Sequence, residues 1–190
     1  MMYGFVFQEI GVPELVLMLG IALIISAAGF IRLVYFVSTG YAFSISSMAL
    51  AGYILFARSL DPVPVLQLAL LILYGLRLGI YLVSREKSPS FRKELQEVEE
   101  RNTGVGVGKR IFIWLGVGIL YVCMFSPAFY RGLLWREGSA DSAVTFGITG
   151  LVLMAFGLGL EAVADWQKSV YKRKKPHRFC DTGVYRWVRC

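Results

Sequence analysis

The chain reads as an all-α, polytopic membrane protein with about five transmembrane helices, and three observations predict this. The mean hydropathy is +0.60. The hydrophobic share is 56%, above the ~45–50% of ordinary soluble domains. The apolar residues also gather in blocks close to the ~20 residues that cross ~30 Å of hydrocarbon, with eighteen of the twenty Lys and Arg outside the blocks.

Taken in order, residues 15–35 form the first block, broken only by Arg32, and residues 40–57 form a second without a charge. Residues 63–83 are apolar apart from Gln67 and Arg77, residues 111–130 carry no charge, and residues 143 to about 164 contain Glu161. No Lys or Arg precedes Arg32, so the first block lacks the basic flank of a cleaved leader and is expected to span. Residues 1–190 are read as a single membrane domain.

Orientation follows from charge. Of twenty Lys and Arg, seven fall in residues 84–110 and eight after the fifth block, against Arg58, Arg131 and Arg136 on the other side. Arg32 and Arg77 are assigned to spans. This positive-inside bias predicts an external or lumenal amino terminus and a cytosolic basic segment over residues 166–190. The membrane would be the endoplasmic reticulum in a eukaryote or the inner membrane in a bacterium. The net charge of +7 is then a property of the cytosolic face and not a nucleic-acid footprint. Membrane lipids or a phosphate-bearing ligand are the expected partners.

Within the cytosolic loop of residues 84–110, Phe91, Leu95 and Val98 recur at i, i+4, i+7, with Lys93/Glu97 and Glu97/Arg101 as possible i, i+4 pairs. This predicts a short amphipathic helix, either on the headgroups or as a solvated connector. The glycine-rich run 103–110 lacks the spacing and the Ser/Thr of a phosphate loop, so a hinge into the fourth span is expected. Cys123, Cys180 and Cys190 are odd in number with no C-x-x-C, which suggests neither a disulfide framework nor a zinc site. His177 has no nearby cluster and reads as a solvated loop residue.

Two intramembrane constellations carry chemistry. Tyr74, Arg77 and Tyr81 share a helix face. A guanidinium in hydrocarbon costs ~2.5–3.5 kcal/mol or more unless it meets a partner or a wet cavity, so Arg77 is either a clamp between helices, a snorkelling cation or part of a site. Glu161 and Asp165 sit four residues apart at the end of the fifth span, followed by Lys168 and a dense basic run. Lys168 alone could neutralise the pair. The surplus of cations downstream points instead to phosphates, with the carboxylates as acceptors for amide or ribose donors. With no His or third carboxylate beside them, a metal is not expected.

The stretch from Gly157 through Glu161-Ala-Val-Ala-Asp165-Trp-Gln-Lys168 to Arg178-Phe179-Cys-Asp-Thr-Gly183-Val-Tyr185-Arg-Trp187-Val-Arg189 resembles the steroid 5-alpha-reductase superfamily, nearest its branch of predicted membrane reductases. That pattern runs E-x-x-x-D-x-Q-K, then a basic loop, then G-[LV]-[WYF]-x-[WY]-x-R-H-P-N-Y-x-G-E. Leu76-Arg77-Leu78-Gly79 with Tyr81-Leu82 is similar to its third-helix signature. The resemblance implies a fold of about seven spans, present here as an amino-terminal part. It also implies an NADPH cofactor in a cytosol-facing cavity and reduction of a carbon–carbon double bond conjugated to a carbonyl in a lipid-like substrate, steroid or isoprenoid. Tyr74 would be catalytic, donating a hydrogen bond to the carbonyl. Glu161, Asp165, Lys168, Lys172, Arg178, Phe179, Tyr185 and Arg189 would bind the cofactor.

The chain departs from that pattern in three places. Steroid-reducing members pair their tyrosine with a glutamate on the second span, where this chain offers only Ser44, Ser46 and Ser47 as polar residues. Cys190 stands where His is usual, and the rest of that motif does not follow. A membrane methyltransferase of the isoprenylcysteine or phospholipid type, with its similar R-H-P-x-Y-x-G motif, is the alternative enzyme. A non-catalytic membrane remnant is the third reading.

Overall fold

The computed structural model describes residues 12–56, 62–102, 104–136, 144–175, 178, 180 and 183–186. These form six α-helices with no strand among them: α1 Val12–Ser26, α2 Thr39–Phe56, α3 Pro62–Glu86, α4 Pro89–Arg101, α5 Val107–Arg136 and α6 Val144–Lys174. Five stretches are long and apolar enough to cross a membrane, Val12–Phe30, Leu33–Phe56, Pro62–Glu86, Val107–Leu133 and Phe146–Lys174. The expected all-helical, five-span architecture is therefore present.

Arg32 is a correction. The apolar run 15–35 is not one span: α1 gives way to single 3-10 turns at Ala27–Phe30 and Leu33–Phe36, with Arg32 extended between them. A guanidinium is cheapest at the membrane boundary, and the chain turns there. Arg32 therefore joins the cations at the same end as α4 and the end of α6, strengthening the charge asymmetry.

The core lies among α1, α2, α3 and α5. On α5, Val117, Tyr121, Phe125, Phe129 and Leu133 recur every fourth residue, and all are buried, forming one ridge along the helix. They meet Met18 and Ala22 of α1, Ile45, Met48 and Ala49 of α2, and Leu68 of α3. Lipid tails are as apolar as these side chains, so close packing and hydrogen bonds between helices must fix the bundle. Gly75 lets α3 lie against α2, where an added Cβ would come within 2.6 Å of the Ser46 Cβ. Ser44 donates to the Ala22 carbonyl at 3.4 Å and Ser46 to the Ile72 carbonyl at 3.2 Å. Trp114 of α5 donates to the Leu23 carbonyl of α1 at 2.9 Å. The second span's buried serines thus tie helices together.

Helix α6 stands apart, packed mainly on α3 and on the 3-10 turn Gly183–Arg186. Phe146, Val152, Leu153 and Phe156 remain largely exposed, as suits a lipid-facing surface. Helix α4 is the expected amphipathic helix, folded back on the basic end of the bundle with Leu95 buried. Its observed ion pair is tertiary, Arg32 Nε to Glu99 Oε1 at 3.0 Å; the Lys93 side chain lies outside the described residues.

Candidate functional site

Helices α3 and α6 meet along a polar seam that joins the two constellations. On α3 the stripe is Tyr74, Arg77, Tyr81, Ser84 and Arg85; on α6 it is Glu161, Asp165, Lys168, Ser169, Lys172 and Arg173. Each follows three- and four-residue steps, so each is one helix face. At the centre Arg77 reaches both carboxylates, Nη1 to Asp165 Oδ2 at 2.9 Å and Nη2 to Glu161 Oε1 at 2.8 Å. The Asp165 contact is an aligned hydrogen bond. The Glu161 contact is close but not aligned, because Nη2 makes no hydrogen bond of proper geometry. Arg77, not Lys168, neutralises the pair, and the guanidinium has the interhelical partners that hydrocarbon demands.

Towards the basic end the seam opens into a cavity of about 580 Å³, within the ~300–1,000 Å³ of small-molecule sites. Its walls carry four cations, Arg85, Lys168, Lys172 and Arg173, and three rings, Tyr81, Phe91 and Tyr185, with no described carboxylate. The Arg85 guanidinium lies 4.0 Å from the Phe91 ring centroid, a cation–π stack that links α3 to α4. Cys180 is buried in the wall.

The wall after α6 is fixed by Gln167, whose Oε1 accepts the Val184 N–H at 2.9 Å. Gly183 has a φ of +67°, in the left-handed region that glycine enters without penalty, and an added Cβ would run into the Gln167 side chain. This latch sets Tyr185 in the cavity. Burial pushes the Tyr185 phenol up; Asp165, Tyr81 and Cys180 add to this and Arg85 opposes it.

Deeper in the bundle, Tyr74 donates to the Tyr41 hydroxyl at 3.3 Å. The Tyr41 ring lies 5.5 Å from that of Tyr121, whose hydroxyl donates to the Phe36 carbonyl. At ~1.5 Å per residue, Tyr74 sits roughly 10 Å along α3 from Tyr81 at the cavity wall.

Of the residues singled out in the sequence, Lys168, Lys172 and Tyr185 line the cavity and Glu161 and Asp165 form the seam beside it. Arg178 is exposed and is not among the wall residues. Tyr74 is on the seam but not in the cavity wall. Phe179, Arg189 and His177 lie outside the described residues. Sequence reasoning missed Arg85, Phe91, Arg173 and Cys180 in the wall, and Tyr41, a polar residue of the second span beyond its serines. The signal for Arg85 was present, since Tyr81, Ser84, Arg85 and Ser88 stand at i, i+3, i+4, i+7.

Fold and site define a five-span helical membrane protein whose α3–α6 seam closes onto a basic, aromatic-walled cavity. The chain belongs to the family described as "Protein of unknown function (DUF1295)", whose profile matches residues 24–190. Comparison with curated proteins and with solved structures gives no match.

Proposed function

We propose that this protein is an NADPH-dependent membrane reductase, acting on a carbon–carbon double bond conjugated to a carbonyl in a lipid-like substrate, with its cavity facing the cytosol. The observation that carries the reading is the cavity: four cations and three aromatic rings at the mouth of a polar seam leading to Tyr74. The resemblance of the Glu161–Arg189 stretch to the steroid 5-alpha-reductase superfamily supports it from the sequence.

The donor set fits such a cofactor. Lys168, Lys172, Arg173 and Arg85 offer the charge-assisted donors that phosphates take, and Phe91, Tyr81 and Tyr185 offer flat faces for rings. Arg77 engages one oxygen of Glu161 and one of Asp165. The second oxygen of each can accept from ribose or amide groups. When bound, the cofactor supplies a hydride. Tyr74 would donate its O–H to the substrate carbonyl oxygen, where negative charge gathers as hydride adds to the β-carbon, which lowers the barrier, and a proton from water would complete the α-carbon. For this the Tyr74 hydroxyl turns from Tyr41 to the substrate, and Tyr41 can donate back to it.

The test is nucleotide binding to the full-length protein in detergent. NADPH is expected to bind at least tenfold more tightly than NADH, with Lys172→Ala eroding that preference. Tyr74→Phe is expected to abolish turnover of an enone lipid while leaving the NADPH dissociation constant unchanged. Equal affinity for the two nucleotides, or none for either, would sink the reading.

A further inference from the structure

A second cavity, of about 650 Å³, lies on the other side of α4. The first cavity takes Ser88 and Phe91 from this part of the chain, and the second takes Arg92, Leu95, Gln96 and Glu99. The second is closed by the Arg32 turn and the end of α3, so it sits at the boundary between the spans and the basic face.

Its charges are not equivalent. Arg32, Lys87 and Arg92 against Glu86 and Glu99 leave three minus two, a net +1. Arg32 and Glu99 neutralise each other at 3.0 Å, and Glu86 Oε2 accepts the Tyr35 hydroxyl at 2.7 Å. Arg92 is anchored through Nε to the Glu86 backbone carbonyl at 3.2 Å, which ties its guanidinium to the cavity wall. Among the described residues no carboxylate lies within ion-pair distance of Lys87 or Arg92. The rim is apolar and open, with Ile31 78% and Val83 43% exposed. Ile31 lies in the turn between the first two spans, and Val83 lies near the end of the third. A soluble anion has no use for such a rim, whereas an anionic head attached to hydrocarbon needs both parts.

We propose that this cavity is a phospholipid-headgroup site, holding a phosphodiester between Lys87 and Arg92 with an acyl chain leaving over Ile31 and Val83. Tyr35 and Gln96 supply further polar contacts to the head. The assignment is independent of the reductase reading, because it uses none of the residues of the first cavity.

The experiment is native mass spectrometry of the delipidated full-length protein in detergent. It is titrated with phosphatidylglycerol, with diacylglycerol of the same chains, and with glycerol 3-phosphate. One phosphatidylglycerol per chain should be retained, with both other compounds at least tenfold weaker. Lys87→Ala/Arg92→Ala should reduce retention tenfold or more, while Lys172→Ala/Arg173→Ala should not. Should the first double variant fail to fold, Gln96→Trp fills the cavity without removing a cation and should also expel the lipid. Retention unchanged in the folded variants overturns the proposal, as does glycerol 3-phosphate binding as tightly as the lipid, which would mark a soluble-phosphate site.

Discussion

Arg77 on α3 and Asp165 on α6, 88 residues apart in the chain, are joined by an aligned 2.9 Å hydrogen bond between opposite charges. With Glu161 as a second partner, this contact fixes how α6, which otherwise offers lipid an apolar surface, registers against the bundle. The polar seam and the cavity at its end follow from that register. An isolated carboxylate or guanidinium would be costly at this depth; the three together satisfy one another.

Removing only the cation should therefore be far worse than removing the whole cluster. Arg77→Gln leaves two part-buried carboxylates without their cation and is expected to cost about 1–3 kcal/mol, as unpairing a desolvated polar group does. The triple variant Arg77→Gln/Glu161→Gln/Asp165→Asn should recover most of that loss. Thermal unfolding in detergent measures both, and simple additivity of the three changes would show that the groups are not coupled.

The five spans were legible because hydrocarbon thickness imposes a length and a polarity that sequence must obey. The Arg32 turn was not, because a single cation in an apolar run can snorkel or mark a boundary, and only the path of the chain decides. Tyr74–Arg77–Tyr81 and Glu161–Asp165 were each visible as helix faces, but periodicity within a helix says nothing of which face meets which. Hence the sequence offers Lys168 as the neutralising partner of the carboxylates and does not match Arg77 to them. Tyr41 went unnoticed because its ring fits an apolar span; its hydroxyl matters only once Tyr74 is seen 3.3 Å away. Arg85 was counted as a loop charge, whereas α3 runs on to Glu86 and carries it into the cavity wall.

Topology gives a second prediction. Arg32, the loop after α3 and the end of α6 lie at one end of the bundle, so the positive-inside rule applies with one more cation than the sequence count assigned. A reporter fused after Arg186 should read as cytosolic, and one placed in the α5–α6 connection at Gly138 as external or lumenal. The reverse pattern would place the basic cavity on the wrong side for a cytosolic cofactor.

Tyr185 offers a spectroscopic handle on the cavity. Its phenol is raised by burial first, then by Asp165, Tyr81 and Cys180, with Arg85 opposing. The folded protein thus holds this proton more tightly than the unfolded chain, whose phenol has a pKa of ~10. The associated stability is complete below about pH 10 and is lost as pH rises through the folded-state value. The wild-type minus Tyr185→Phe difference in phenolate absorbance should therefore appear only above pH ~10. Arg85→Gln should move it still higher. A shift to lower pH in that variant would mean that Arg85 does not face the phenol.

The Gln167–Gly183 latch yields the last prediction, because it ties the tail to α6 at a position with left-handed backbone. Gly183→Ala must place a Cβ against the Gln167 side chain at a φ of +67°, and a non-glycine residue held there costs ~1–3 kcal/mol. Gln167→Ala removes the acceptor of the Val184 N–H without touching the backbone. Both changes should loosen Tyr185 and the buried Cys180 together. Site-resolved alkylation read by peptide mass spectrometry should then show Cys180 reacting at least several-fold faster in either variant. Cys123 lies within the fourth span, where detergent shields it, so the Cys180 rate in the wild-type protein is the reference. If Cys180 stays as protected in both variants as in the wild type, some other contact holds the tail, and the latch has no part in forming the cavity wall.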